Sequence, residues 1–187
     1  MITRLAAKSD IHTIILIQEM NLFDNLSRLE REQNGFVTTP FTIHQLKRLI
    51  AGRGLFVVES DDQVHGYTAA ASWEYFAQWP INPFMITRLV GTRFRGVIIS
   101  EHNSFQYGPV CIDEHMRGTQ AFPRLFEEMR LEMCPRFPVG ITFINKSNER
   151  SYRAHTRRLG MKVVDEFQYG GREYYSLAFD TAVSVLQ

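Results

Sequence analysis

The segment Arg117-Gly118-Thr119-Gln120-Ala121-Phe122 stands where an apolar run, Val110-Cys111-Ile112, gives way to a helical pattern carrying Leu125, Phe126 and Met129 on one face. A helix start gathers backbone N–H groups that lack partners within the helix, and the helix dipole adds positive potential there. Such a place holds an anion, a phosphate above all, and Gly118 permits close approach of the backbone to a ligand. A second segment, Asn145-Lys146-Ser147-Asn148-Glu149-Arg150-Ser151, reads as another strand-to-helix turn with Asn148 as N-cap. Its helix is expected to end at Leu159, with Gly160 in the left-handed position. Arg150, Arg153, Arg157 and Arg158 crowd this helix, with Lys146 and Lys162 at its flanks. A solvated basic face is the usual meaning of such a run; beside a phosphate turn, part of it can meet a ribose phosphate.

Several chemistries are excluded by pattern. No GxGxxG follows a strand and no GxxxxGK[ST] occurs, which argues against dinucleotide and P-loop sites. Cys111 and Cys134 make neither a disulfide framework nor a metal-ligand pattern, so no metal is expected. A strand cysteine such as Cys111 is ordinarily a small buried hydrophobe, and no partner histidine is identifiable by spacing, so a covalent acyl-enzyme route is disfavoured.

These turns need a scaffold. Ile2 to Ala7 reads as a strand, and Ser9 or Asp10 as the cap of a helix using Ile11, Ile14, Ile15 and Ile17. Thr42 caps a second helix carrying Ile43, Leu46, Leu49 and Ile50, ended by Gly52 and Gly54. Leu55 to Glu59 and Val64 to Ala71 form a hairpin around Asp61-Asp62, placed beside the strand at Tyr107 to Ile112. Lys162 to Tyr169 and Arg172 to Phe179 form another around Gly170-Gly171. Between the first hairpin and the central strand lies Trp73 to Ser100, rich in aromatic residues, with a helix expected over Pro83 to Leu89. That segment reads as a packing arm or homodimer surface, or as the wall of an acceptor pocket.

The 187 residues suit one domain, 44% of them hydrophobic and 22% charged, with a net charge of +1. This balance gives no pull toward nucleic acid or an anionic membrane. No apolar run approaches a spanning helix, the N-terminus lacks the apolar core of a secretory signal, and a reducing cytoplasm is the simplest home.

The pairing of DEHMRGTQAF with NERSYRAHTRRLGM resembles the GNAT superfamily of acyl-CoA-dependent N-acyltransferases. That family runs a strand into a pyrophosphate-binding turn, [QR]-x-x-G-x-[GA], and a later strand into a helix with an Asn near its start. Arg117 matches the first position; Gln120 and Phe122 depart from the others. The resemblance covers nearly the whole chain. It implies an α/β fold: a single domain over residues 1–187, with a mixed, mostly antiparallel central sheet and helices on both faces. It implies acetyl-CoA as co-substrate. Backbone around Val110, Cys111 and Ile112 would serve the pantetheine arm like an added strand, with an N–H polarising the thioester carbonyl. Arg117, Gly118, Thr119, Gln120, Ala121 and Phe122 would hold the pyrophosphate, and Asn148 and Ser151 the pantetheine or sulfur side.

The implied reaction is direct attack by an amine, on a small molecule or a peptide, after a base or water chain removes its proton. The family's tyrosine acid falls at Thr156 here, so Tyr152 or His155, three residues apart on one helix, is the expected proton donor. Glu74 or Asp113 is the expected base. The alternative function is a catalytically silent acyl-CoA sensor; a third is a structural dimerisation protein without cofactor.

Overall fold

The structure, a computed structural model, describes residues 1–38 and 40–186. In chain order its regular elements are β1 (Ile2–Leu5), α1 (Ile11–Asn21), α2 (Arg28–Asn34), α3 (Ile43–Ala51), β2 (Leu55–Ser60), β3 (Gln63–Ala71), α4 (Trp73–Phe76), α5 (Ile81–Leu89), β4 (Arg93–Phe94), β5 (Val97–Ile98), β6 (Ser104–Ile112), α6 (Ala121–Met133), β7 (Val139–Asn145), α7 (Glu149–Arg153), β8 (Lys162–Tyr169) and β9 (Arg172–Asp180). Seven strands form one mostly antiparallel sheet in the order β1-β2-β3-β6-β7-β9-β8. The chain divides into two compact units, residues 1–70 with 108–132 and 186, and residues 71–107 with 133–185.

In the first unit β1 and β2 pair antiparallel from Ile2↔Glu59 to Leu5↔Phe56. β2 turns back into β3 through Asp61 and Asp62, both left-handed (φ 52° and 58°), the geometry that matches strand twist in a tight hairpin. β3 lies close against the C-terminal half of β6. The Asp113 N–H donates to the His65 carbonyl at 2.8 Å, and a Cβ at Gly66 would sit 2.7 Å from the Cys111 carbonyl oxygen. Only glycine fits there. Ile14, Leu46, Leu49, Phe56, Leu125, Phe126 and Met129 are among its fully buried residues. The expected cap at Thr42 is present: its hydroxyl accepts from Gln45 N–H at 3.3 Å while Gln45 Oε1 accepts from Thr42 N–H at 2.8 Å. The cap expected at Ser9 or Asp10 is not. A 3₁₀ turn, Lys8–Asp10, precedes α1, and the Asp10 carboxylate accepts instead from Ala7 N–H at 2.7 Å and from Arg4 at 2.7 and 3.1 Å. Bonds to a guanidinium are stronger than a neutral cap bond, and they take the carboxylate.

In the second unit Ser104, Phe105 and Gln106 of β6 run parallel to Val139, Gly140 and Ile141 of β7. β7 pairs antiparallel with β9 along its whole length. β9 closes on β8 through Gly170 and Gly171 (φ 55° and 74°), as the Gly-Gly signal predicts. One face of these strands carries Val139, Ile141, Phe167, Tyr174 and Ala178, packed with Trp73, Met85, Ile86 and Leu89 of α4 and α5. The helix expected over Pro83 to Leu89 starts earlier, at Ile81, which puts Pro83 in the first turn, where a missing N–H costs nothing. The β4–β5 hairpin, turning at Arg95 and Gly96 (φ 46° and 87°), was not expected. The helix after Asn148 is also different: α7 stops at Arg153 and the chain widens into a π-helical turn, Ala154–Arg158, before Gly160 takes the left-handed position (φ 68°).

Among the described residues no helix is long and apolar enough to cross a membrane, and no group of three or more His, Cys, Asp or Glu is placed to hold a metal ion.

Candidate active site

In the first unit the turn after β6 is fastened from below and open above. Arg117 Nε donates to the Ile112 carbonyl at 2.9 Å and its Nη2 to Asn21 Oδ1 of α1 at 2.9 Å. The guanidinium therefore ties the turn to the strand end and to a helix distant in sequence. Gly118 has φ 81°, a conformation side-chain-bearing residues rarely adopt, and no atom lies within 4 Å of where its Cβ would be. The requirement for glycine here is conformational; space is not short. Gly118, Thr119 and Gln120 are exposed and Phe122 is half-buried. Thr119 shapes the start of α6: its hydroxyl donates to the Met116 carbonyl at 2.6 Å and accepts from Ala121 N–H at 3.1 Å. Pro123 has no N–H to give, and Arg124 N–H is taken by the Gln120 carbonyl at 3.0 Å. The helix start thus presents fewer N–H groups than a bare one.

Of the strand residues expected to serve pantetheine, Val110 is half-buried, while Cys111 and Ile112 are buried. Burial pushes the Cys111 thiol up to about 12, so it stays protonated and is no nucleophile. Its Sγ lies 3.5 Å from the Tyr67 hydroxyl, which in turn reaches Gln18 Oε1 at 3.4 Å. Gln18 clasps the Phe41 backbone, accepting from its N–H at 2.7 Å and donating to its carbonyl at 3.1 Å. Asp113 pairs with His65 Nδ1 at 3.2 Å. Sequence reading missed Asn21, Gln18 and His65 as supports of this turn and strand. Their partners lie far along the chain, and nothing local marks them.

In the second unit the structure brings Asn148, Ser151, Tyr152 and His155 together on one helix start. Asn148 is buried and its Oδ1 accepts from Ser151 N–H at 3.2 Å, the expected cap. His155 is buried inside the π turn, its ring centroid 5.6 Å from that of Tyr107. Its Nδ1 lies 2.7 Å from the Ser151 carbonyl. A carbonyl only accepts, so Nδ1 carries the proton and Nε2 is left as an acceptor. Burial pulls this imidazole down to about 4, against the smaller opposing pull of that hydrogen bond, so the ring is neutral at ordinary pH. The Ser151 hydroxyl lies 3.3 Å from the same Nδ1. Tyr152 is half-buried with its ring 4.6 Å from that of Tyr175. Thr156 spends its hydroxyl on the Tyr152 carbonyl at 2.8 Å. Glu74 is exposed on α4.

The fold these elements make is that of the GNAT N-acetyltransferases. An N-acetyltransferase from Staphylococcus aureus Mu50 matches 96% of this chain over 98% of its own, at 17% identity and a TM-score of 0.63. A GNAT-family acetyltransferase from Streptococcus agalactiae 2603 matches 96% over 94% of its own, at 12% identity and a TM-score of 0.65. The protein yncA from Salmonella typhimurium, solved with its cofactor acetyl-CoA, matches 96% over 93%, at 15% identity and a TM-score of 0.63. No family model matches the sequence, and no curated protein matches it either.

Proposed function

We propose that the chain transfers an acetyl group from acetyl-CoA to an amine, on a small molecule or a peptide, by direct attack. The observation that carries this is the open left-handed turn at Gly118 leading into α6, in a chain whose fold follows known N-acetyltransferases along nearly its whole length. In this reading the backbone of Arg117 to Phe122 receives the pyrophosphate, with Arg117 holding the turn's shape. Backbone at Val110, Cys111 and Ile112 receives pantetheine, and Asn148 and Ser151 take its sulfur side. Tyr152 gives the proton to the departing thiolate. His155 orients the helix start: it is neutral, and its Nδ1 proton is committed to Ser151. Glu74 is the base we assign. Free Cys111 and Cys134 suit a reducing compartment such as the cytoplasm.

Acetyl-CoA incubated with a panel of amines, followed by free thiol appearance, tests the proposal: thiol release dependent on one class of amine supports it. Absence of release with every amine turns attention to the second reading, an acyl-CoA sensor, which the substitution at Thr156 favours. Tight CoA binding without release is the outcome that separates the two, since a ligand bound only by the native state raises Tm.

A further inference from the structure

Three buried side chains of the second unit each hold an oxygen with no hydrogen-bond partner among the described residues: Asn82 Oδ1, Gln106 Oε1 and Ser176 Oγ. Their residues are 1%, 3% and 0% exposed. Leaving a buried acceptor unmade costs about 1–3 kcal/mol, and native structures rarely do so without a reason. The three share one layer. Gln106 stands opposite Ile141 on β7, which stands opposite Ala178 on β9, and Ser176 is two residues from Ala178. Residues directly paired, or two apart on a strand, point to the same side. Gln106 is also two residues from Ser104, whose hydroxyl accepts from Trp73 Nε1 at 3.0 Å. Ile141, Ala178 and Trp73 all belong to the apolar cluster under α5. Asn82 occupies the same helical stripe as Met85, Ile86 and Leu89, the α5 residues of that cluster, at spacings of three, four and seven. So the amide oxygen from the helix and the two oxygens from the sheet face one apolar, aromatic layer.

We infer that these oxygens receive the acceptor amine, and that the acceptor is a primary amine on an uncharged, apolar or aromatic body. This rests on the acetyltransferase reading. Asn82 Oδ1 and Gln106 Oε1 can only accept, so their partner must be a donor. The amide nitrogens are already used: Gln106 Nε2 donates to the Tyr107 carbonyl at 3.0 Å and Asn82 Nδ2 to the Trp79 carbonyl at 3.4 Å, which holds both oxygens in place. The side chains that α5 and these strands share in this layer are apolar or aromatic. An apolar surrounding penalises the ammonium more than the neutral amine, and the neutral amine is the form that attacks. Amide oxygens accept its N–H bonds and leave its lone pair for the carbonyl carbon.

The test uses 2-phenylethylamine as probe, with spermidine as a highly charged control, and reads Tm shift in the presence of CoA as well as turnover. 2-Phenylethylamine is expected to raise the Tm of the wild type where spermidine does not. Gln106→Met and Ser176→Ala are each expected to weaken that response about tenfold in amine concentration, with KM for acetyl-CoA and the CoA-induced shift unchanged. Without ligand Ser176→Ala should be as stable as the wild type or slightly more so, because an unpaired buried group is gone; Gln106→Met also loses the bond from Nε2 to the Tyr107 carbonyl and is read by its amine response alone. The inference is overturned if the wild type shows no shift with 2-phenylethylamine. It is also overturned if the variants keep the full shift, or if Ser176→Ala loses stability without ligand while still binding the amine, since the oxygens would then serve an internal water. Loss of CoA binding or of thiol release in the wild type is a separate result and strikes the acetyltransferase reading instead.

Discussion

At Gly118 the chain is shaped by main-chain conformation; at His155 it is shaped by a buried side chain, and the two regions are built accordingly. The turn before α6 is exposed, needs a residue that tolerates φ 81°, and gets its rigidity from Arg117, whose bonds reach the Ile112 carbonyl and Asn21. The helix after β7 is largely exposed but buries Asn148 and His155, both under 10% exposed, and desolvation keeps His155 neutral. A backbone site depends on conformation and is indifferent to pH. A side-chain site depends on protonation and inherits a pH window.

That contrast can be attacked where it is strongest. The folded-state value of His155, about 4, lies below its ordinary 6.5, so the unfolded chain takes up the proton first. Its contribution to stability is therefore complete above pH 6.5 and drains away as pH falls toward 4, by roughly 3 kcal/mol in all. His155→Gln should flatten this part of the stability profile in chemical denaturation measured across that window; an unchanged slope would remove desolvation from the account. Tyr152→Phe is expected to lower kcat for acetyl transfer about a hundredfold while leaving the CoA-induced Tm shift intact. If kcat holds, the proton donor is another group. Arg117→Met leaves Asn21 Oδ1 and the Ile112 carbonyl without their charged partner and should cost about 2 kcal/mol, a drop in Tm of about 4–8 °C, with weaker CoA binding as the turn loosens. Thr119→Ala removes the hydroxyl's bonds to the Met116 carbonyl and from Ala121 N–H and should cost about 1 kcal/mol by denaturation.

The backbone half was the more legible in the sequence. Glycine advertises conformation, so Gly118, Gly160 and the Gly170-Gly171 turn could be read directly, and Thr42 with Gln45 spelled out a cap. What stayed hidden was whatever depends on long-range contact. Asp10 carries the signature of a helix cap, yet Arg4 claims it through bonds that no local pattern announces. The π turn at Ala154–Arg158, which buries His155, has no residue signature. Asn82 and Ser176 sit among apolar residues, Asn82 just before the helix expected over Pro83 to Leu89 and Ser176 inside an expected strand, but no local pattern says that their buried oxygens lack partners. The apolar body of the first unit, an unbroken apolar run through Leu55 to Val58 and a helical spacing through Leu46 and Leu49, was legible from pattern alone.

Calorimetric titration of CoA into the wild type and Gly118→Val tests the central claim most directly. The account expects saturable binding by the wild type and at least a tenfold loss in the variant, whose fold survives because the added methyl groups meet open space and strain the backbone only locally. Equal affinity in the two proteins, or no binding by the wild type, would contradict it.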